Sequence, residues 1–340
     1  MRIRILGAGI VGLACAHELI ERGHTVEVVD PNPGSGASYA AAGMLSPAGE
    51  LWHGEADLFR LGSESASLWP AYAAALGVPT QETGTVLAGA DAGDLQEIDR
   101  QLALLAEAGV RANELTRREL LTLEPGLGRI SGGGFLPDDH SVDPRAVVAA
   151  LLARVRTRPE PSTDPVDLTI LATGAQLPEP FADLVRPVRG EVLRLRVTEV
   201  DLPRHTVRGF VRGEPVYVVP RANGEVVVGA TSEEHDVAPV PTVEGVFRLL
   251  EAARELIPAL DRAEFVEATA RDRPGTPDNL PLIGLSGVDG VLLAAGHYRH
   301  GVLLAPITAQ LIADAVEGVT TDAAVDPQRF LASQPQRSPA

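Results

Sequence analysis

Two sets of residues in this 340-residue chain have the types and spacing to do chemistry. The first is Gly7-Ala8-Gly9-Ile10-Val11-Gly12, followed eighteen residues later by Asp30. Gly7 permits a tight turn, Gly9 lets backbone N–H groups approach a pyrophosphate, and Gly12 allows close helix–sheet packing. The unpaired donors and positive dipole of a helix N-terminus suit a bridging diphosphate, and Asp30 is spaced to accept bonds from a ribose hydroxyl pair. An acid at position 30 disfavours a 2′-phosphate, hence NADP; NAD and FAD both remain open on these residues. The second set is a pair of arginine segments, Ala270-Arg271-Asp272-Arg273-Pro274-Gly275 and Gly296-His297-Tyr298-Arg299-His300-Gly301. A guanidinium can hold a carboxylate bidentately; the plain alternative is a solvated surface arginine.

Other chemistries lack their residues. The single cysteine, Cys15, lies inside the first helical pattern and reads as a small buried hydrophobe. His297 and His300 have no carboxylate or thiolate companions at metal-ligand spacing, so no metal is expected. There is no Gly-x-Ser-x-Gly and no Ser/His/Asp set, so the hard chemistry falls to a cofactor. A net charge of −17 argues against nucleic-acid and anionic-membrane partners. No apolar run reaches a membrane span and no signal peptide opens the chain, so a soluble cytoplasmic protein is expected.

The elements that must position these residues read as α/β. Arg2 to Leu6 is a buried strand, residues 10 to 22 a helix stopped by Gly23, and Thr25 to Val29 a second strand. Pro31 to Gly36 is a loop. The run Ala37-Ser38-Tyr39-Ala40-Ala41-Ala42-Gly43-Met44 either lies flat against a bulky planar group or is a packed Ala-rich helix start. Helices are expected over 55 to 76, from Asp94, and from the Thr116/Glu119 capping box to Pro125. Gly84 to Ala88 reads as a strand and Gly132 to Gly134 as a flexible break. Asp143-Pro144 starts a helix expected to reach about Arg156, and Asp167 to Gly174 is a third pass of the parallel sheet. From Val188 the pattern turns antiparallel, with strands at 188–197, 216–220, 225–228 and 265–270, an Asn223-Gly224 hairpin, and a helix at 242–256. Val291 to Ala295 returns as a strand, Gly301 to Val316 as a helix, and the tail after Pro335 is expected to be disordered.

The fingerprint, the Ala-Ala-Ala-Gly-Met run at 40 to 44, Arg-Pro-Gly-Thr-Pro-Asp and Gly-His-Tyr-Arg-His-Gly-Val-Leu-Leu-Ala-Pro together resemble the D-amino-acid oxidase superfamily, and within it the FAD-dependent glycine oxidases of bacterial thiamine biosynthesis. The resemblance covers nearly the whole chain and implies a Rossmann-type FAD-binding domain (1–80, 140–187, 272–340) with an inserted antiparallel-sheet substrate domain (81–139, 188–271). It implies FAD at Gly7, Gly9, Ile10, Val11, Gly12 and Asp30, with Pro31, Ala37, Ser38, Ala42, Gly43, Met44, Thr173 and Gly174 along it. His297, Tyr298, Arg299, His300, Gly301, Val302 and Leu303 would start the last helix with its N-terminus towards the flavin. Arg299 and Arg273 would hold the substrate carboxylate, and Tyr217 would roof the site. Ser232 after Gly229-Ala230-Thr231, and Pro215 two places before Tyr217, depart from the glycine oxidase pattern and bear on the substrate pocket.

By that resemblance the activity is oxidative deamination of glycine or a similar small amino acid by O₂, for the thiazole of thiamine, in a tetramer or dimer. The alternatives are oxidation of sarcosine-like N-substituted glycines or D-amino acids, electron transfer to a quinone in place of O₂, or flavin binding without amine chemistry.

Overall fold

The computed structural model describes residues 1–198, 202–235, 237–320 and 322–331. Six strands form the first sheet in the order Leu282–Leu285, Val291–Ala295, Leu168–Leu171, Arg2–Leu6, Thr25–Val29 and Thr157–Arg158. All neighbours are parallel except the first pair. Parallel strands need crossover helices, and these cover the sheet. Ile10–Glu21 packs on Ala305–Val316, with Ala56–Leu76 and Pro144–Leu152 completing the layer. Ile5, Leu13, Trp69, Leu151 and Ile312 share its core.

The second sheet has eight strands: Glu264–Gly275, Arg186–Arg196, Glu225–Gly229, Glu214–Pro220, Thr206–Val211, Thr85–Gly89, Gly132–Leu136 and Asn113–Thr116. Its pairings are antiparallel except that Thr206–Val211 runs parallel to Thr85–Gly89. Side chains alternate between faces. Val86, Val207, Val218 and Val228 pack with Leu249, Ala253 and Leu256 of the Val243–Leu256 helix. The other face carries Val192, Tyr217, Val219 and Val227, against Ala42 and Met44. Met44–Leu45, His140–Val142 and Thr80–Gln81 make a small third sheet. The architecture is therefore mixed α/β with an antiparallel-rich second sheet.

Several sequence expectations are corrected. Gly132 to Gly134 is no flexible break but the start of the strand Gly132–Leu136, where a Cβ on Gly133 would overlap the Leu87 carbonyl of the neighbouring strand. The helix after Asp143 ends at Leu152, short of Arg156, in a turn closed by Arg154 N–H on the Leu151 carbonyl. The strand expected at 265–270 runs on to Gly275, because the equally long Arg186–Arg196 partner pairs with it as far as Gly275. The last helix begins at Ala305, not Gly301; residues 301–304 form turns. The tail after Pro335 lies outside the described residues. Cys15 is fully buried, and burial pushes its thiol up to about 12, which leaves it an inert core residue. Among the described residues, no helix is long and apolar enough to cross a membrane, and no group of three or more His, Cys, Asp or Glu could hold a metal.

The Ala92–Glu107 helix shows how the second sheet is pinned. Asp91 and Asp94 form a capping box, and the Asp94 carboxylate, 2% exposed, also accepts the N–H groups of Arg212 and Gly213 at 2.9 and 2.8 Å. Both turn residues have positive φ, as a two-residue hairpin loop favours; Gly213 adopts it freely and Arg212 does not, and the carboxylate bonds hold both in place. Asp94→Ala would orphan these donors, and urea denaturation should show a loss of about 2–3 kcal/mol.

Candidate active site

The carboxyl ends of the parallel strands and the cavity face of the second sheet enclose one cavity of about 620 Å³. At one end, the strand Arg2–Leu6 turns through Gly7, whose φ is +105°. A Cβ there would overlap the Ala172 carbonyl, and one on Gly12 would overlap the Gly7 carbonyl, so both positions require glycine for close approach. Gly9 caps the Ile10–Glu21 helix without a side chain, and Ser38 Oγ accepts the Ile10 N–H at 3.0 Å. Asp30 faces the same space while its two oxygens accept Ala8 N–H at 2.7 Å and Asn32 N–H at 2.8 Å. The loop after Asp30 is thereby tied to the glycine turn.

Most of the residues singled out from sequence meet here. Gly7, Gly9, Ile10, Val11, Asp30, Ala37, Ser38, Ala42, Gly43, Met44, Thr173, Gly174 and His297 through Leu303 line the cavity, as do Arg273 and Tyr217. Gly12 and Pro31 do not; Gly12 stands behind the turn, packed on Gly7. Pro215 and Ser232, the two departures from the resembled pattern, both line the cavity.

The cationic end is built from both sheets. Arg273 projects from the edge strand Glu264–Gly275 over Gly190, where any Cβ would overlap its guanidinium. Its Nη1 donates to the Thr231 carbonyl at 3.1 Å and the Arg189 carbonyl at 3.4 Å. Arg299 stands on the turn after Val291–Ala295, its guanidinium 5.2 Å from the Tyr298 ring. Tyr298 N–H donates to the Pro274 carbonyl at 2.9 Å, which joins the two arginine segments. From behind, Trp69 Nε1 and Ser65 Oγ of the Ala56–Leu76 helix both donate to the Leu303 carbonyl, at 2.9 and 2.6 Å. Tyr217 lies beside Gly229, whose missing side chain leaves room for the phenol.

Burial lowers the Arg273 pKa and raises that of the Tyr217 phenol, which stays a hydrogen-bond donor. At Arg299 burial opposes the charge, but Glu50 and Tyr298 outweigh it and the pKa is raised. Burial pushes His297 down to about 3, so it is neutral across the working range, with Nε2 2.9 Å from Thr308 Oγ1. Arg273 and Arg299 both line this end of the cavity, and guanidinium groups there are able to bind an anion, with Glu50 the acid that acts on both.

Sequence reasoning missed Glu50 and Arg208. They pair at 2.6 Å on the cavity wall, and Arg208 is directly cross-strand from Tyr217. Placing them needs the sheet register, which has no local sequence signal. Arg208 could have been found only by its period-2 phase, on the face of Phe210 and opposite Val207.

Comparison with known proteins agrees with this geometry. The pattern of the DAO family, FAD dependent oxidoreductase, matches residues 2–159 and 154–315. The chain is similar to the bifunctional protein ThiO/ThiG of Trichormus variabilis, at 34% identity over 92% of this chain and 52% of that protein. It thus spans about half the length of the curated relatives that head its matches. It is 31% identical to a glycine oxidase of Geobacillus kaustophilus, over 93% of this chain and 92% of that one. The crystal structure of a glycine oxidase from G. kaustophilus superposes with a TM-score of 0.87 at 30% identity, covering 97% and 99% of the two chains.

The glycine cradle leads to a direct test. Gly12→Val, which forces a side chain into the Gly7 carbonyl, should purify without the visible absorbance of a flavin, while the unsubstituted chain retains it.

Proposed function

Since the chain belongs to the DAO family of FAD-dependent oxidoreductases, we propose that it oxidatively deaminates glycine or a similarly small amino acid, giving the 2-oxo acid, ammonia and hydrogen peroxide. FAD is its cofactor, and the residues present fit it. One cavity takes in both the glycine turn and Arg273, and Gly9, without a Cβ, leaves the backbone bare beside Ser38 at the helix N-terminus. We assign Gly7, Gly9, Ile10, Val11 and Asp30 to the dinucleotide end, and Ala42, Gly43, Met44 and the 297–303 turn to the ring end, with the described residues of 1–80, 140–187 and 272–340 forming the cofactor domain. When bound, FAD supplies the two-electron acceptor for the substrate Cα–H, and its electrons pass on to O₂.

The observation that carries the substrate reading is that two guanidinium groups, Arg273 half-buried and Arg299 exposed, both line that cavity. Arg273 and Arg299 fix the substrate carboxylate in position and angle, and the Tyr217 phenol donates to it. Arg273 is itself held by two backbone carbonyls, so the carboxylate meets a preset donor. The neutral amine is the reactive form, so the protein needs no strong base, in keeping with a neutral His297. The apolar small-residue wall at Ala42 and Met44 excludes water from the reacting end.

The similarity to ThiO/ThiG and glycine oxidases supports glycine as the substrate and thiazole synthesis for thiamine as its use. Pro215 and Ser232, which depart from the glycine oxidase pattern and line the wall, leave N-substituted glycines or D-amino acids as the second reading. We further infer a cytoplasmic homo-oligomer without nucleic-acid or membrane partners, supported by the net charge of −17.

A peroxide-coupled screen of glycine, sarcosine, D-alanine and larger D-amino acids tests the reading; no peroxide and no bleaching of the flavin by any of them would sink it. Arg299→Ala should raise the KM for glycine about 10- to 100-fold, the loss expected for a charge-assisted bond, as read from steady-state rates.

A further inference from the structure

We propose that Glu50 is the amine-side specificity residue of this pocket and that Asp139 is the positioning residue that holds it there. The inference rests on the amine-oxidation reading and goes beyond it, because neither residue belongs to the cofactor cradle or the carboxylate clamp.

Glu50 ends a turn with little slack. Behind it, Asp139 is 1% exposed, and its carboxylate accepts Gly49 N–H at 2.7 Å, Ala48 N–H at 3.3 Å and the Ser46 hydroxyl. The backbone of Asp139 is anchored in turn, its carbonyl accepting Thr85 Oγ1 at 3.2 Å from the second sheet. Gln101 Nε2 donates to the Gly49 carbonyl at 3.0 Å from the Ala92–Glu107 helix. A Cβ on Gly49 would stand 3.0 Å from Arg208 Nη1 and 3.2 Å from Asp139 Oδ2, so the turn is packed as well as bonded. Burial pushes the Asp139 carboxyl up to about 6, opposed by the bonds from Ser46 and Gly49 and by Arg208, and its oxygens meet the turn as acceptors.

What this turn delivers is an anion in a cationic wall. Glu50 lines the main cavity and also a smaller one of about 280 Å³ that it shares with Tyr298, Arg299 and His300. Burial opposes its charge, but Arg208, then His300 and Arg299, outweigh burial and lower its pKa. Its charge is felt in turn at Arg273, Arg299 and Tyr217, the groups assigned to the substrate carboxylate. Arg208, whose side chain is 17% exposed, pairs with Glu50, its Nη1 2.6 Å from Glu50 Oε1.

An amino acid carries an acceptor group and a donor group on adjacent atoms. With its carboxylate on Arg273 and Arg299, the amino acid arrives largely as the ammonium form, whose charge gains from a nearby anion, whereas a hydroxy acid of the same size offers only a neutral donor. Glu50 supplies that anion. The pocket therefore distinguishes an amine from a hydroxyl at the same carbon, and the discrimination depends on the turn that Asp139 holds.

The holoenzyme and its Glu50→Gln, Asp139→Asn and double variants should be compared by glycine KM and by inhibition with glycolate, the hydroxyl analogue. The ratio of glycine KM to glycolate Ki should rise about tenfold in each single variant, the usual cost of losing one charge-assisted bond, with glycolate Ki within about twofold of the parent. The double variant should be no worse than Glu50→Gln alone, since Asp139 acts through Glu50. An unchanged ratio in Glu50→Gln overturns the proposal, as does glycolate binding that weakens in step with glycine. An additive double variant overturns the positioning role, and Glu50→Gln alone decides the specificity role if Asp139→Asn does not fold. A parent enzyme that oxidises no amine would fail the underlying reading as well, an outcome distinct from normal oxidation with an unchanged ratio.

Discussion

A single backbone hydrogen bond, from Tyr298 N–H to the Pro274 carbonyl, ties the edge of the second sheet to the turn that follows the first. The cationic end of the cavity depends on that juncture. Arg273 comes from a long antiparallel strand and Arg299 from a left-handed corner at Tyr298, and neither segment alone could aim both guanidinium groups at one anion. Arg273 is half-buried at some cost in solvation, which the two backbone carbonyls around it partly offset, while Arg299 is exposed and has the charge of Glu50 near it. What remains is positive charge that an anionic ligand completes.

The rest of the molecule serves to hold two rigid surfaces at that juncture. The parallel sheet and its helices fix the glycine turn, and the Ala56–Leu76 helix grips the Leu303 carbonyl through Trp69 and Ser65. The second sheet presents one alternating face to its covering helix and the other to the cavity. Gly190 and Gly229 are absences on that inner face: each omits a side chain so that Arg273 or Tyr217 can lie flat against the sheet. A pocket of this kind is shaped as much by missing Cβ atoms as by the groups that fill it.

Much of the site was legible because its residues sit in short segments with strong local constraints. Gly7, Gly9 and Gly12 announce a turn that tolerates no side chain, and Asp30 follows at a spacing set by one helix and one strand. Arg299 falls in a segment that the D-amino-acid oxidase resemblance picks out. The errors arose where tertiary pairing overrode local preference. Three consecutive glycines suggest a break, yet Gly132 to Gly134 are held as a strand by neighbours on both sides. The run from Gly301 looks helical by periodicity, but the bonds that anchor Leu303 and His300 keep its first residues in turns.

The sequence by itself determined the fold class, through periodicities and spacings within a few dozen residues, and the family, through a resemblance carried by segments spread along the chain. Only the tertiary structure decided what surrounds the reacting end. Glu50, Asp139 and Arg208 are far apart in the chain and carry no motif; they meet because a buried carboxylate must find donors and a buried arginine must find an anion. Those needs can be met only once the sheet register and the turn after Met44 are set.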